Sequence, residues 1–404
     1  MRTHRFRLPI LLLLLLLGSA PVVGGQPAEP SGFQFVADNA TAAATAAAIA
    51  PLSPVGLNGV DGAATGKSVN LPAGFSIVQV ASGLKNPRFM TFDDAGNLLV
   101  ADAGRGAVYR YAAGGGSIAP SGQPPAPLVS GLEAPSNVVV HNGYLYIGET
   151  RTISRYAYDP NAAAGGREAI VSDLPTGGHS TRTVQFDAAG AMYVSVGSSC
   201  NICDESDQRR AAILRFADDG SGQQVFARGL RNAVGLAIQP GSGLLWATVN
   251  ERDNQGNEIP PDLVTIVAEG QNFGWPGCQP PNATPQDAGR DCSAITPPTV
   301  GLQAHGAPLG LAFSTGQQFP GDYANDLFVI QHGSWNRQPP AEPKVVRLHF
   351  DGLRPVSAQD FATGWQMADG SRWGRPAGVV VAPDGSLIIS DDQAGTLYRI
   401  AYSG

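Results

Sequence analysis

Apolar and polar positions along this chain repeat in one pattern of short strands and turns between residue 83 and the C-terminus. Each copy has an apolar β-rich run, a turn containing Gly, a second apolar run, a polar loop and a short strand that often ends in Arg. The six copies begin at Gly83, Gly131, Gly177, Gly229, Ala304 and Trp373. Strands of four to eight residues that recur every roughly 40–50 residues predict an all-β propeller of four-stranded antiparallel blades.

The repeat also predicts which loops share a face. Successive turns of an antiparallel meander alternate between the two ends of a blade. The loop before the first strand of a blade (the leading loop) and the loop after its second strand (the middle loop) should therefore lie together, beside the central channel. The leading loops carry Lys85-Asn86, Glu133-Ala134, His179-Ser180, Arg231-Asn232, Gly306-Ala307 and Gly374-Arg375. The middle loops carry Asp102 with Arg105, Glu149 with Arg151, Ser198, Asn250 to Asp253, His332 to Arg337, and Asp391 with Asp392.

Such a ring of His, Arg, Asn and carboxylate side chains predicts a site for a polar or anionic ligand at the channel mouth. Charged residues at blade corners also pair with each other to join blades, and this structural interpretation is preferred for Asp102, Arg105, Glu149, Asp391 and Asp392. Both interpretations stay open for His305 and His332. His179 follows two glycines and lies one blade before Arg231-Asn232, so it is our candidate for a general base.

Composition agrees with a large β-rich core and many tight turns. Of 404 residues, 43% are hydrophobic, and the 51 Gly and 32 Pro suit frequent chain reversal. Only 15% of residues are charged, and no run of Lys and Arg predicts a nucleic-acid interface.

The N-terminus has the features of a secretory signal. Arg2, Arg5 and Arg7 precede an apolar stretch at 8–18 that is too short to span a membrane, and small residues follow it. The sequence therefore predicts a periplasmic or secreted protein without a membrane span in its mature form. We assign 1–25 to the signal peptide, 26–70 to a mostly unstructured lead-in and 71–404 to the propeller, with the strand near 71–82 pairing with the last blade to close the ring.

The four cysteines suit an oxidising compartment. Of the three possible pairings, the local ones, Cys200–Cys203 and Cys278–Cys292, are favoured because they close short loops. Redox catalysis by the C-x-x-C is the less favoured alternative, since it lies in a loop between strands rather than at a helix start. Asp204 follows the second cysteine where covalent haem attachment would need His, and no finger-like spacing predicts zinc.

Several phrases of the repeat resemble the glucose/sorbosone dehydrogenase family, and within it the sorbosone and pyranose dehydrogenase branch. The phrases, in order, are GGHSTRTVQF, VGSSCNICDE, GLRNAVGLA, LWATVNERD, QNFGWPGC, FVIQHGSWNR and WGRPAGVVVAPDGSLIISDD. The resemblance spans roughly 70–404. It implies a six-bladed propeller that holds pyrroloquinoline quinone (PQQ) and calcium over the channel mouth, oxidises a sugar or sugar aldehyde, and passes electrons to an external cytochrome, quinone or dye.

The resemblance also implies roles for individual residues. The family's base corresponds to His179, and the pair that contacts the quinone corresponds to Arg231 and Asn232. Arg375 corresponds to an arginine that binds a cofactor carboxylate, and Arg337 is a candidate for a second such cation. Together these residues would give hydride transfer from the sugar to the quinone, with His179 taking the hydroxyl proton.

Two departures from the family pattern separate this chain from the glucose enzymes. Calcium-binding carbonyls of those enzymes would fall near Asp253 and Asn254, but this loop has Arg252-Asp253-Asn254 in place of Gly-Pro. Ser198 stands where those enzymes have an Asp that orients the base. Two other functions stay open at this point, a calcium-dependent lactonase-like hydrolase and a propeller that binds glycan or protein without chemistry.

Overall fold

A computed structural model of the chain describes residues 34–35, 51–287 and 289–404. It confirms the predicted all-β fold, a six-bladed propeller of four-stranded antiparallel blades. The predicted signal peptide, residues 1–25, lies outside the described residues. Among the residues that the structure describes, no helix has the length and apolar character that a membrane span requires.

The strands follow the repeat in chain order. Before the first blade lie β1 (Gln34–Phe35), β2 (Leu52–Asn58), β3 (Ala64–Pro72) and β4 (Phe75–Ala81). Blade 1 contains β5 (Pro87–Phe92), β6 (Leu98–Asp102), β7 (Ala107–Tyr111), the hairpin of β8 (Ala113–Gly114) and β9 (Ser117–Ile118), and β10 (Pro127–Ser130). Blade 2 contains β11 (Asn137–His141), β12 (Tyr144–Gly148), β13 (Ile153–Ala157) and β14 (Arg167–Val171). Blade 3 contains β15 (Val184–Phe186), β16 (Met192–Val196), β17 (Ala212–Phe216) and β18 (Gln224–Arg228).

The second half of the ring repeats this order. Blade 4 contains β19 (Ala233–Ile238), β20 (Leu245–Val249), β21 (Asp262–Val267), the hairpin of β22 (Cys278–Gln279) and β23 (Thr284–Pro285), and β24 (Val300–Leu302). Blade 5 contains β25 (Pro308–Phe313), a 3-10 helix (Gly321–Tyr323), β26 (Leu327–Gln331), β27 (Lys344–Asp351) and β28 (Arg354–Ala362). Blade 6 contains β29 (Pro376–Val381), β30 (Leu387–Asp391) and β31 (Thr396–Tyr402).

The ring is closed by a strand from the N-terminal side. Strand β4 supplies the fourth strand of blade 6 and pairs antiparallel with β31, so that Ala81 lies opposite Leu397 and Phe75 opposite Tyr402. This is the partner that the sequence predicted for the last blade. A circular arrangement closed in this way leaves no open gap between the first and last blades.

The described part of the predicted lead-in differs from our expectation. Strands β2 and β3 form a hairpin, and β2 pairs with β4 at Asn58 and Val78, which extends blade 6 to six strands. Leu57, Val69 and Leu71 of the hairpin are fully buried against blades 5 and 6. Burial of these side chains stabilises a segment whose apolar alternation is too short to predict a strand.

The core is divided among the contacts between blades. Six clusters of buried apolar side chains in the described residues each fill the space between two adjacent blades. The innermost strands β5, β11, β15, β19, β25 and β29 contact one another in a closed ring around the channel. Phe89, Val234, Leu309 and Ala377 from four of these strands pack together and form an apolar plug beneath the leading loops.

Both predicted disulfides are confirmed, Cys200–Cys203 and Cys278–Cys292. The first lies in the middle loop of blade 3, and the second holds the long excursion between β21 and β24 of blade 4. Both loops lie close to the cluster of polar residues described next.

Candidate active site

A cavity of about 200 Å³ lies between the leading and middle loops of blades 3, 4 and 5, with Leu309 of the apolar plug in its wall. Four of the residues predicted from the sequence line it, namely His179, Arg231, Asn232 and Asp253. The other polar and aromatic residues in its wall are Asn250, Glu251, Asp262, His305, Trp335 and Asn336. The structure thus brings the candidate base and the candidate cation to one cavity.

The surroundings of His179 determine which ring nitrogen carries the proton. Its Nδ1 lies 3.1 Å from the carbonyl oxygen of Ser198 and 3.0 Å from the Oγ of the same residue. The Ser198 hydroxyl donates its own proton to the carbonyl of Cys200 at 2.7 Å, so both Ser198 oxygens are acceptors toward the imidazole. The proton therefore resides on Nδ1, and Nε2 has a free lone pair with no partner among the described residues.

The electrostatic environment keeps this imidazole neutral. Burial, and after it the positive charge of nearby Arg231, lowers the pKa of His179 from 6.5 to about 4. A neutral ring with an unpaired Nε2 at a cavity wall can accept a proton from a bound hydroxyl group.

A comparison of the blades explains why Ser198 stands where a carboxylate was expected. In three other blades, a carboxylate at the end of the second strand accepts the backbone N–H of the leading loop. These pairs are Asp102 with Asn86, Glu149 with Glu133, and Asp391 with Arg375. In blade 3 the Ser198 carbonyl accepts the backbone N–H of His179 at 2.9 Å, which leaves the serine side chain for the imidazole. These carboxylates have a structural role, as we preferred, but each of the three bonds holds the leading loop of its own blade, whereas we expected charged pairs that join neighbouring blades.

Arg231 is buried and uses all five of its N–H groups. Nε donates to the Asn201 carbonyl at 3.1 Å, and Nη1 donates to the carbonyls of Asn250 and Glu251 at 3.2 and 2.7 Å. Nη2 donates to Asn201 Oδ1 at 3.0 Å and to Asp253 Oδ2 at 2.7 Å. The guanidinium is therefore fixed in place, and its charge is only partly offset by one carboxylate.

The carboxylates behind Arg231 are deeply buried. Burial raises the pKa of Asp262 to about 7 and also raises the pKa of Glu251. Arg252 donates from Nη1 to Glu251 Oε2 at 2.6 Å and from Nη2 to the Pro276 carbonyl at 3.0 Å. The Arg252 side chain is fully buried and does not line the cavity. Arg252, which departs from the pattern of the glucose enzymes, therefore anchors the disulfide loop of blade 4.

Three amide oxygens in the cavity wall have no hydrogen-bond partner among the described residues. They are Oδ1 of Asn232, Asn250 and Asn336, and each is buried. Asn336 Nδ2 donates to Asp253 Oδ1 at 2.9 Å, which identifies Nδ2 as the bonded end of this amide and Oδ1 as its unpaired end. Unpaired buried oxygens are unfavourable unless a donor or cation meets them, and amide and carboxylate oxygens are what Ca²⁺ prefers. This donor set fits a hard cation.

The structure places three predicted site residues outside this cavity. Asn254 is exposed and adopts a positive φ of 62°. Arg337 donates to the Asn257 carbonyl and pairs with Glu258 at 2.7 Å. Arg375 donates from Nε and Nη2 to the carbonyls of residues 332 and 333, each at 3.1 Å.

Arg375 belongs to a second charged group at the junction of blades 5, 6 and 1. Asp392 accepts from Arg88 and also from His332 Nε2, the latter at 2.9 Å. Nη1 of Arg375 and Nη2 of Arg88 have no hydrogen-bond partner among the described residues and are not buried. These N–H groups could meet an anionic ligand, so the chemistry of this group fits a cofactor that carries carboxylates.

Sequence reasoning missed two functional candidates in the middle loops. Trp335 is 74% exposed and lines the cavity, although an indole is usually much more buried. Asn201 bonds both Arg231 and Asp253. The phrases HGSWNR and SSCNICDE contained the signal, because an aromatic or amide residue stands inside a polar loop of the predicted mouth.

The chain is similar in sequence and in fold to known proteins. A PQQ-dependent pyranose dehydrogenase from Coprinopsis cinerea is 28% identical over 405 residues, which cover 82% of this chain and 54% of that enzyme. The chain thus spans about half the length of this relative. The holo form of the pyranose dehydrogenase PQQ domain from the same organism superposes with a TM-score of 0.71 at 24% identity, covering 82% of this chain and 97% of that domain.

A calcium structure of the family AA12 enzyme from Trichoderma reesei superposes with a TM-score of 0.72 at 20% identity. That match covers 88% of this chain and 98% of the Trichoderma chain, and both superpositions show the shared fold. The family model described as TrAA12-like matches residues 69–280 and 257–403, which is most of the propeller. The resemblance read from the sequence is confirmed, and the chain belongs to the TrAA12-like family.

Proposed function

We propose that this protein is a PQQ-dependent sugar dehydrogenase that uses His179 as its general base. The observation that carries the proposal is the neutral imidazole, whose free Nε2 is held at a cavity wall beside a buried arginine. Membership of the TrAA12-like family and similarity to a PQQ-dependent pyranose dehydrogenase support the choice of cofactor and substrate class.

His179 removes the proton of the sugar hydroxyl in this mechanism. The Nδ1 proton is donated to the two Ser198 oxygens, so only Nε2 can accept the substrate proton. The imidazole becomes an imidazolium as the substrate loses that proton. PQQ would supply the acceptor for the hydride of the sugar carbon. The fixed charge of Arg231 then favours negative charge that develops nearby, since its position requires no rearrangement during the reaction.

We assign cofactor binding to the cations around the mouth. Arg231 and Asn232 lie in the cavity wall, and Arg375 lies in the second charged group together with Arg88. Arg337 stays a candidate that would have to give up its exposed partner Glu258. Arg375 and Arg88 would meet the carboxylates of PQQ by charge-assisted hydrogen bonds, whereas Arg231, whose N–H groups all have protein acceptors, would act through its charge.

Calcium, when bound, would add positive charge beside the reacting groups. We assign it to the unpaired oxygens of Asn232, Asn250 and Asn336 together with the Asp253 carboxylate. Our sequence-based assignment included Asn254, whose side chain does not line the cavity, so that residue contributes at most through its backbone carbonyl.

The substrate is a sugar or sugar aldehyde. Trp335 offers an exposed aromatic face at the cavity, and such a face packs on the apolar side of a sugar ring while amide groups bind its hydroxyls. Electrons leave to an external acceptor such as a cytochrome, a quinone or a dye. We propose that the enzyme acts in the periplasm or outside the cell, as its disulfides suit.

The test is reconstitution of the protein with PQQ and CaCl₂, followed by dye reduction with a panel of aldoses, ketoses and sorbosone. We expect reduction with at least one sugar, dependent on both additions and abolished by a calcium chelator. PQQ binding should be followed by titration in the same samples. No PQQ binding with or without calcium would reject the proposal.

A further inference from the structure

The C-x-x-C disulfide ring is in direct contact with the residues that form the candidate site. Cys200 and Cys203 close a four-residue ring in the middle loop of blade 3. The carbonyl of Cys200 accepts the hydroxyl proton of Ser198 at 2.7 Å, and Ser198 in turn accepts from Nδ1 of His179. The ring therefore contributes to the tautomer of the imidazole.

Asn201, inside the ring, makes five hydrogen bonds to the other side of the site. Its carbonyl accepts from Arg231 Nε at 3.1 Å and from Trp275 Nε1 at 3.0 Å. Its Oδ1 accepts from Arg231 Nη2 at 3.0 Å and from the backbone N–H of Asp253 at 2.8 Å. Its Nδ2 donates to the Asp253 carbonyl at 3.0 Å. Both polar atoms of the Asn201 side chain therefore bond to Arg231 or Asp253.

The ring is also anchored from behind. Glu205 accepts the backbone N–H of Ser199 at 2.6 Å and the hydroxyl of Ser199 at 2.8 Å, immediately beside Cys203. A four-residue loop that is closed by a covalent bond and held by a carboxylate has few conformations available. Asn201 is therefore presented in a single orientation to the guanidinium.

We propose that Asn201, held by the Cys200–Cys203 disulfide, is the positioning residue that places the Arg231 charge next to His179. It supplies two of the five acceptors of Arg231 and fixes the backbone of Asp253, which supplies a third. In this role the disulfide acts on the reaction through geometry. The predicted effect on turnover rests on the proposed function, whereas the effect on His179 can be measured without cofactor.

The first experiment measures the pKa of His179 by NMR in the cofactor-free full chain with labelled histidine. Because Arg231 lowers that pKa, we expect both Asn201→Ala and Arg231→Gln to raise it. Adding Asn201→Ala to Arg231→Gln should produce no further rise, since the charge that Asn201 positions is then gone. The matched control Asn161→Ala, at an exposed loop position, should leave the pKa unchanged.

The second experiment measures PQQ-dependent turnover at saturating cofactor. Asn201→Ala should lower kcat/KM by about tenfold or more, because a hydrogen bond to a charged group is worth at least that factor. The double variant Cys200→Ser/Cys203→Ser should show a smaller loss in the same direction, and Cys278→Ser/Cys292→Ser is the control that keeps this ring intact.

The two readouts separate this inference from the proposed function. A shifted His179 pKa in a protein with no PQQ activity would keep the positioning role and reject the dehydrogenase. A folded Asn201→Ala protein with the parent pKa and the parent turnover would overturn the positioning role, even if the enzyme is a dehydrogenase. If the double cysteine variant fails to fold, Asn201→Ala alone decides.

Discussion

Replacing His179 with Gln should remove the base while leaving the cavity nearly intact. The Gln side chain keeps a polar group near Ser198 but has no nitrogen that accepts a proton at neutral pH. General-base catalysis is typically worth 10²–10⁴-fold, so turnover should fall by about that factor. PQQ affinity should change little, because we assign the negative charges of the cofactor to arginines and calcium.

The pH dependence gives a second magnitude from the same residue. With the pKa of His179 lowered to about 4, about 90% of the imidazole is neutral at pH 5, against about 3% for an unperturbed histidine of pKa 6.5. The acid limb of kcat/KM should therefore fall near pH 4. The pKa of His179 is lower in the folded protein than in the unfolded chain, so protonation favours unfolding. The contribution of His179 to folding stability is therefore lost as pH falls from 6.5 toward 4.

The assay is dye-linked turnover of the PQQ-loaded protein between pH 4 and 8, with circular dichroism at each pH to confirm folding. His141→Gln is the matched control, because that histidine stacks on Phe186 away from the cavity. An acid limb at pH 6.5 in the parent protein would refute the argument that burial and Arg231 lower the pKa of this imidazole. Parent-like turnover of a folded, PQQ-binding His179→Gln protein would refute its role as base.

Three further predictions concern the stability of the propeller and the packing beside His179. Leu71→Ala, in the N-terminal hairpin, should lower the free energy of unfolding by about 2–5 kcal/mol in denaturant titrations, because this side chain is fully buried. Cys278→Ser/Cys292→Ser should cost about 3 kcal/mol by the same measurement, as expected for a loop with a sequence separation of 14. Gly197→Ala should impair turnover, because the new Cβ would lie 2.5 Å from the Cβ of His179.

Each of these predictions has its own control. Gly166 has no atom within 4 Å of an added Cβ, so Gly166→Ala should retain parent turnover. Val55→Ala in the same hairpin, where the side chain is only partly buried, should cost less than Leu71→Ala. Equal losses at the two hairpin positions would contradict the burial argument, and a disulfide variant as stable as the parent would contradict the loop-entropy argument.

Sequence periodicity was sufficient for the architecture because each blade repeats the same alternation. The apolar runs near residues 98–102 and 387–391 became second strands in which every residue is buried, and the polar residues beyond them became middle loops. The meeting of His179 with Arg231 followed from the alternation of turns, which depends only on strand order. The closing strand β4 could be predicted because an unpaired edge in a ring is unfavourable.

Side-chain directions within the mouth could not be predicted in the same way. Arg337 and Arg375 lie in the predicted loops, yet their guanidinium groups turn to nearby backbone carbonyls of the blade 4 and blade 5 loops. Periodicity says which loop a residue occupies, whereas the acceptor it finds depends on loop conformation. The same limit applies to Asn201, whose role depends on a ring that a cysteine count cannot orient.

The saturation of Arg231 determines how it can act in catalysis. All five of its N–H groups already have protein acceptors, so a new hydrogen bond to a ligand would have to replace one of them. Four of those acceptors are neutral oxygens and Asp253 is the one carboxylate among them, and at His179 the lowering of the pKa by Arg231 exceeds its raising by Asp253. A charge held in this way needs no rearrangement in the transition state, which is the condition under which electrostatic stabilisation is most effective. Arg231 therefore acts mainly through its fixed charge. Arg231→Lys keeps the charge but loses the fork of donors that fixes its position, so its turnover should stay below that of the parent protein.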